Sequence, residues 1–128
     1  MREILFRAKR VDNGEWVYGN YAFTDTNGEQ HFIFQNKAFE HEVHKDTICQ
    51  YTGLTDKNGN KIWENDILVG HLDDNFPEDT TYTKVVWHNN GFCTKEQGSE
   101  DVLAIDEFDQ KYFEVCGNIF DNPELIGE

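Results

Sequence analysis

The sequence predicts a mainly β protein, built as an antiparallel sheet or a small barrel. Asn-Gly pairs occur between β-prone residues at positions 13–14, 27–28, 58–59 and 90–91. Asn-Gly accepts the positive φ angles that a tight hairpin requires. No long stretch places apolar residues at the spacing of an amphipathic helix. We therefore expect short strands joined by hairpin turns, with at most short helices.

Length and composition predict one folded domain over residues 1–128. Hydrophobic residues make up 38% of the chain, which contains ten Phe, five Tyr and three Trp. Side chains of this size can bury enough apolar area to form a core without disulfides.

The first part of the chain predicts three strands and two turns. In order these are a strand at 4–10, a turn at 12–14, a strand at 16–23, a turn at 25–28 and a strand at 31–34. In the following segment, 35–46, Phe39 and Val43 are four residues apart, which would place them on one face of a helical turn. A loop fits this segment equally well.

The central stretch, residues 50–69, is the densest in turn-forming residues. It predicts a strand at 47–52, a hairpin turn at 56–60, a corner at 64–66 and a strand at 67–69. Asn65 suits the corner because Asn tolerates the left-handed backbone region.

The remaining residues predict further strands and an acidic surface. The elements are an exposed loop at 70–79, a strand at 82–88, a turn at 89–91, a return strand from 92, a short strand or helical turn at 103–105, a last strand at 112–120 and a closing turn at 121–125. Gly117 predicts a bulge in the last strand.

The formal net charge is −14, from 25 acidic and 11 basic residues. Such a surface repels phosphate, so direct nucleic-acid binding is disfavoured. The acids either keep the protein soluble or form a face for a basic protein partner. Mimicry of the phosphate array of DNA is one form of such a face.

The cysteines and the hydropathy predict a cytoplasmic protein. Cys49, Cys93 and Cys116 are widely spaced and include no Cys-x-x-Cys pair, which argues against a disulfide framework or a zinc site. No apolar run resembles a signal peptide or reaches membrane-spanning length, so we expect no membrane contact.

His41 and His44 are the candidate metal ligands. A zincin helix needs His-Glu-x-x-His, and here the second His arrives one position early. An EF-hand loop starting at Asp56 would need glycine at its sixth position and Glu at its twelfth. Glycine instead falls at the fourth position and isoleucine at the twelfth. We predict no metal site and no cofactor.

The usual nucleophile patterns do not occur. Ser99 is the single serine and lies in no Gly-x-Ser-x-Gly elbow. Cys49 and Cys116 lie in predicted strands, where buried, inert thiols are the rule. We therefore expect no enzymatic activity.

Seven aromatic residues could either fill the core or form a stacking platform for bases: Trp16, Tyr18, Tyr51, Trp63, Trp87, Phe92 and Phe113. A small barrel needs large side chains inside, which favours core packing. A nucleic-acid face would require the bases of the first strand to cluster: Arg2, Arg7, Lys9 and Arg10.

Three blocks of sequence carry a family resemblance. They are Phe6-Arg7-Ala8 with Trp16-Val17-Tyr18-Gly19-Asn20, the run from Gln50 to Gly59 with Ile62 to Ile67, and the run from Glu114 to Leu125. In these blocks the chain resembles the YopX family of small phage and prophage proteins of unassigned function. It departs from the family in having Asn65 where Gly is usual and Trp63 where Tyr or Phe is usual.

The resemblance implies a mostly β, partly open SH3-like barrel, encoded by a phage or an integrated element. It implies an N-terminal hairpin part, 1–46, and a barrel part, 47–128. It brings no agreed catalytic residues. The positions that carry its signature here are Tyr51, Gly53, Asp56, Gly59, Trp63, Asp66, Gly117, Asn118 and Pro123.

We accordingly expect a non-enzymatic protein-interaction module whose partner is an unidentified, basic protein. Self-association through exposed strand edges is a further expectation. The alternatives are an acidic DNA mimic that regulates a DNA-binding protein and a nucleic-acid-binding SH3-like barrel.

Overall fold

The computed structural model describes residues 4–36, 39–71 and 80–127. Its contacts divide the chain into two compact units, residues 1–51 and residues 52–128. The division into parts 1–46 and 47–128 stays a prediction. Within the described residues, no helix has the length and apolar character needed to span a membrane.

The first unit is an antiparallel sheet in the order β4-β3-β2-β1-β5. Its strands are β1 (Phe6–Lys9), β2 (Trp16–Thr24), β3 (Gln30–Asn36), β4 (Phe39–Val43) and the first residues of β5 (Cys49–Thr55). A single 3-10 turn, Lys45–Thr47, precedes β5. The core of this unit consists of Ala8, Val17, Ile33 and Val43, all buried.

The prediction for residues 35–46 was wrong. Residues Phe39–Val43 form strand β4, which pairs with β3 so that Val43 lies opposite His31. A spacing of four residues places side chains on one side of a strand as well as of a helix. Pairing with β3, the preceding strand, decides between them.

The second unit contains the rest of the chain. Its elements are the end of β5, β6 (Lys61–Trp63), β7 (Asp66–His71), β8 (Thr80–His88), β9 (Gly91–Glu96), β10 (Val102–Ala104), α1 (Glu107–Tyr112), β11 (Phe113–Asn118) and a 3-10 helix at Pro123–Ile126. Five of the strands form an antiparallel sheet in the order β10-β9-β8-β7-β11. Within the described ranges, β10 and β11 each have one neighbouring strand, so this sheet is open. Its core is formed by Ile62, Leu68, Val85 and Phe113.

The mainly β, antiparallel fold class is confirmed, whereas the SH3-like comparison stays a prediction. Three local details differ from expectation. Strand β7 continues through His71, so the expected loop begins later, and residues 72–79 lie outside the described part of the chain. Tyr112 ends helix α1 instead of opening the last strand. Cys116 is exposed, contrary to the expectation of a buried thiol.

Candidate functional site

Asp56, the centre of the sequence signature, is a structural residue. Its Oδ1 accepts the backbone N–H groups of Asn58 and Asn60 at 2.9 and 2.8 Å. Its Oδ2 accepts the backbone N–H of Val115, in β11, at 2.9 Å. Burial raises the pKa of this carboxyl, but these hydrogen bonds outweigh burial and hold the pKa below its ordinary value. The carboxylate therefore fixes the hairpin turn and ties it to β11.

The corner at residues 64–66 is held in the same way. Asp66 is 1% exposed, and its Oδ2 accepts the backbone N–H of Trp63 at 2.8 Å. Asn65 has a φ of 71°, as the sequence predicts for a residue that tolerates the left-handed region. These contacts set the chain reversal between β6 and β7.

The last signature block builds the bulge and the closing turn. The register of β11 against β7 shifts between Val115 and Gly117, which confirms the predicted bulge. Asn118 Oδ1 accepts the backbone N–H groups of Phe120 and Asp121, each at 3.0 Å. Pro123 begins the closing 3-10 helix. These residues shape the backbone.

The other signature residues also belong to the fold. Tyr51 is buried, and Gly53 and Gly59 have φ angles of 89° and 85°. A side chain would strain either glycine position.

His41 and His44 lie on the first unit. His41, in β4, pairs with Ile33, and its Nε2 lies 3.1 Å from the side-chain oxygen of Gln35. His44 is exposed and precedes the 3-10 turn. Among the described residues, His, Cys, Asp and Glu side chains form no group of three or more that could hold a metal ion.

A pocket of about 350 Å³ opens on the second unit. Its lining residues come from β8, β9, the loop between β9 and β10, β10, the segment that leads into α1, α1 itself and the start of β11: Thr81, Thr83, Thr94, Glu96, Ser99, Asp101, Leu103, Ala104, Asp106, Asp109 and Phe113. Sequence reasoning treated most of these residues as parts of ordinary strands or of an acidic loop.

The strand register explains how the floor of the pocket forms. Thr83 and Val85 lie on one side of β8 because side chains alternate along a strand. Thr94 is directly opposite Val85, and Glu96 is opposite Thr83. Leu103 of β10 lies opposite Thr94 in turn. The pocket therefore continues the core face of the open sheet beyond Val85.

The floor contains a buried hydroxyl group without a partner. Thr83 and Thr94 are 7% and 6% exposed. The Oγ1 atom of Thr83 is fully buried and has no hydrogen-bond partner in the described part of the chain. Buried hydroxyls in folded proteins are normally hydrogen-bonded, so this atom stands out.

The rim is acidic. It carries Glu96, Asp101, Asp106 and Asp109, and none of the described residues that line the pocket is basic. Asp106 and Asp109 cap each other at the start of α1, since each carboxylate accepts the backbone N–H of the other residue, at 3.3 and 3.0 Å. Burial raises the pKa of the Asp109 carboxyl, and the negative charge of Asp106 raises it further.

The charge of the chain is unevenly distributed. Residues 52–128 contain 17 acidic and five basic residues, whereas residues 1–51 contain eight acidic and six basic ones. The net charge of −14 therefore divides into −12 and −2, and the acidic pocket lies on the strongly negative unit.

Two of the basic residues of the first strand, Arg7 and Lys9, contact the ring of Trp16. The guanidinium of Arg7 lies 4.5 Å from the ring centre of Trp16, and the ammonium of Lys9 lies 5.4 Å from it. Tyr18, which follows Trp16 by two residues in β2, is 46% exposed. Arg10 instead pairs with Asp12. Arg2 lies outside the described residues.

The aromatic residues divide between core and surface. Four of the seven candidates are buried: Tyr51, Trp63, Phe92 and Phe113. Tyr18 and Trp87 are exposed, and Trp16 is partly exposed. Core packing is therefore confirmed for the buried four.

Comparison with known proteins identifies two similarities. A family model described as YopX protein matches residues 5–127. The crystal structure of protein EF1440 from Enterococcus faecalis matches this chain with a TM-score of 0.59. The two sequences are 25% identical, and the match covers 98% of this chain and 99% of that one. No curated protein matches the chain.

Proposed function

Because the chain belongs to the YopX protein family, we propose that it is a non-enzymatic interaction module of a phage or prophage. In this proposal it binds a basic segment of a partner protein through the acidic surface of residues 52–128. The phage or prophage origin follows from the family resemblance.

The observation that carries the proposal is the charge division, −12 against −2. An acidic requirement for solubility alone would not favour one unit over the other. A concentrated negative surface accelerates encounter with a basic partner and orients it. The signature residues Asp56, Asp66 and Asn118 support a non-enzymatic role, since their polar groups hold the backbone.

The test compares partner recovery by two charge variants. The second-unit variant carries Glu96→Gln, Asp101→Asn and Glu107→Gln, all at exposed positions. The tagged full-length protein is used to recover partners from cells that carry the prophage, at low and at high salt. We expect the second-unit variant to recover several-fold less of a basic partner than the wild type, and high salt to abolish recovery.

The matched control, the first-unit variant, carries Asp25→Asn, Glu40→Gln and Glu42→Gln, which are also exposed. It removes the same three negative charges from the less acidic unit. We expect its recovery to equal that of the wild type. Equal losses in both variants, or a partner that is retained at high salt and is not basic, would contradict the proposal.

Mimicry of DNA is a special case of the same function. If the partner is a DNA-binding protein, duplex DNA should displace this chain from it competitively. A partner that binds duplex DNA and this chain at the same time would exclude mimicry while leaving the interaction module in place.

Nucleic-acid binding by the first unit is the second candidate function. The observation that favours it is the group formed by Lys9, Trp16 and the exposed Tyr18, with the buried Arg7 packed on the Trp16 ring, since aromatic and basic side chains together bind single strands. Fluorescence anisotropy with a labelled single-stranded oligonucleotide tests it. Binding that Tyr18→Ala weakens would support this candidate, and no binding at low salt would exclude it.

A further inference from the structure

We propose that the acidic pocket of the second unit is a binding site for the cationic end of an arginine or lysine side chain. The inference rests on the proposed function and deepens it by naming the group that the partner would insert. The occupant we commit to is a basic side chain of a protein partner.

The charge of the lining selects a cation. The rim holds the carboxyl groups of Glu96, Asp101, Asp106 and Asp109, and no basic residue of the described ranges lines the pocket. An anion would meet like charges on several sides. An ammonium or guanidinium group would instead form charge-assisted hydrogen bonds with the carboxylates.

The floor presents a hydroxyl oxygen that can accept a hydrogen bond from an N–H donor. Thr83 is one of the residues that line the pocket, and its Oγ1 atom is buried and has no hydrogen-bond partner in the described part of the chain. Ammonium and guanidinium groups have several donors and no acceptor. One of these donors could bind the Thr83 hydroxyl while the others contact the rim.

The apolar surface of the pocket walls favours a long side chain with methylene groups. Leu103, Ala104 and Phe113 supply apolar surface beside the carboxylates. Lysine and arginine pack their methylene groups on apolar surface and keep the charged end in polar surroundings. The volume of about 350 Å³ is large enough for such a side chain, since small-molecule pockets begin at about 300 Å³.

A bare metal ion fits the pocket less well. Among the described residues no group of three or more His, Cys, Asp and Glu side chains could hold a metal. The apolar wall would also be unused by an inorganic ion. We therefore treat Ca²⁺ binding as an outcome of the test that would overturn the inference.

The experiment titrates the full chain with N-acetyl-arginine amide and follows it by two-dimensional ¹H–¹⁵N NMR. N-acetyl-citrulline amide, which has nearly the same shape and no charge, is the matched probe. We expect saturable shifts for residues of β8, β9 and β10 with the arginine probe and none with the citrulline probe. Equal shifts with both probes, no shifts with either, or saturation of the same residues by Ca²⁺ alone would overturn the inference.

Two variants locate the site. Thr83→Val removes the hydroxyl and keeps the branched shape, and we expect it to weaken binding of the arginine probe about tenfold. Its unfolding temperature should be equal to or above that of the wild type, because the buried hydroxyl without a partner is removed. Unchanged affinity in a folded Thr83→Val protein would overturn the inference.

Asp101→Asn tests the rim without touching the core, and Glu124→Gln is its matched control. Both residues are exposed acids of the second unit, but only Asp101 lines the pocket. We expect Asp101→Asn to weaken binding of the arginine probe several-fold and Glu124→Gln to leave that binding unchanged. Equal effects would indicate general attraction by the acidic surface and would overturn the inference.

These measurements separate the inference from the proposed function. The small probe reports on the pocket whether or not a protein partner exists. Partner recovery without probe binding would contradict binding in the pocket and would still support the proposed interaction module. Probe binding in a protein that recovers no basic partner would leave the pocket standing and contradict the interaction module.

Discussion

Asp56 shows how one carboxylate can organise a turn and a distant strand together. Its two oxygens accept backbone N–H groups from its own loop and from Val115. An amide side chain could not replace it, because one of its two ends would present donors to donors. At the scale of the residue, the carboxylate of Asp56 in the signature therefore has a structural role.

The free energy of unfolding should depend on pH because the Asp56 carboxylate accepts these hydrogen bonds. The folded-state pKa of Asp56 lies below its ordinary value, so the carboxylate stabilises the folded state above that ordinary value. This contribution is lost as the pH falls from the ordinary value through the lowered pKa. We expect Asp56→Asn to reduce the free energy of unfolding by about 3 kcal/mol at pH 7.

The measurement is urea unfolding of the wild type and Asp56→Asn between pH 7 and pH 2, with Asp25→Asn as the control at an exposed site. The difference between wild type and Asp56→Asn should shrink as the pH falls. A difference that stays constant over this range would show that the charge of Asp56 has no part in the stabilisation.

The residue scale also shows what the sequence could predict. Asn65 and the glycines at 14, 28 and 59 have positive φ angles, as expected for their turns. At the turn of residues 89–91, the positive angles fall on Asn89 and Asn90, with φ of 48° and 74°, and not on the glycine. Turn chemistry is local, which is why it can be read from neighbouring residues.

Elements whose identity depends on pairing with another strand could not be predicted in the same way. Strand β4 exists through its pairing with β3, while its own residues fitted a helical turn or a loop. Helix α1 has six residues, too few for a periodic pattern to appear. The pocket combines threonines of β8 and β9 with acids of residues 101–109. No local signal marks such a combination.

At the scale of the element, the bulge in β11 should depend on the absence of a side chain at Gly117. A Cβ placed there would lie 2.4 Å from Asn122 Oδ1, which accepts the backbone N–H of Asn118. We expect Gly117→Ala to lower the free energy of unfolding by about 1–3 kcal/mol, because the closing turn must shift. Urea unfolding followed by tryptophan fluorescence measures this change.

Gly91→Ala is the matched control. Gly91 lies in a strand of the same sheet, its φ is not in the left-handed region, and no atom of the described residues lies within 4 Å of an added Cβ. We expect it to be neutral or to stabilise the protein by up to about 1 kcal/mol, since alanine restricts the unfolded chain. Equal destabilisation by both substitutions would exclude the contact with Asn122 as the cause.

At the scale of the whole molecule, the uneven charge should affect stability as well as binding. Repulsion among acids weakens the compact state, and salt screens this repulsion. We expect the unfolding temperature to rise between 10 mM and 500 mM NaCl. The rise should be smaller in the second-unit variant than in the first-unit variant, because the removed charges come from the unit with net charge −12.

Differential scanning calorimetry of the wild type and both variants at the two salt concentrations measures this effect. Equal rises in the two variants would indicate that the acids repel one another no more strongly in residues 52–128 than in residues 1–51.

The hydrogen bond between Asp56 and Val115 joins positions 59 residues apart in the chain. During synthesis the turn emerges from the ribosome long before its last donor does. Until β11 arrives, Oδ2 of Asp56 has the Asn60 side-chain amide as a donor but lacks the backbone N–H of Val115, and β7 lacks its neighbour on that side. Residues 52–128 should therefore reach their native arrangement only after β11 has been synthesised, so that chains stalled or cut before Val115 become substrates for chaperones and proteases.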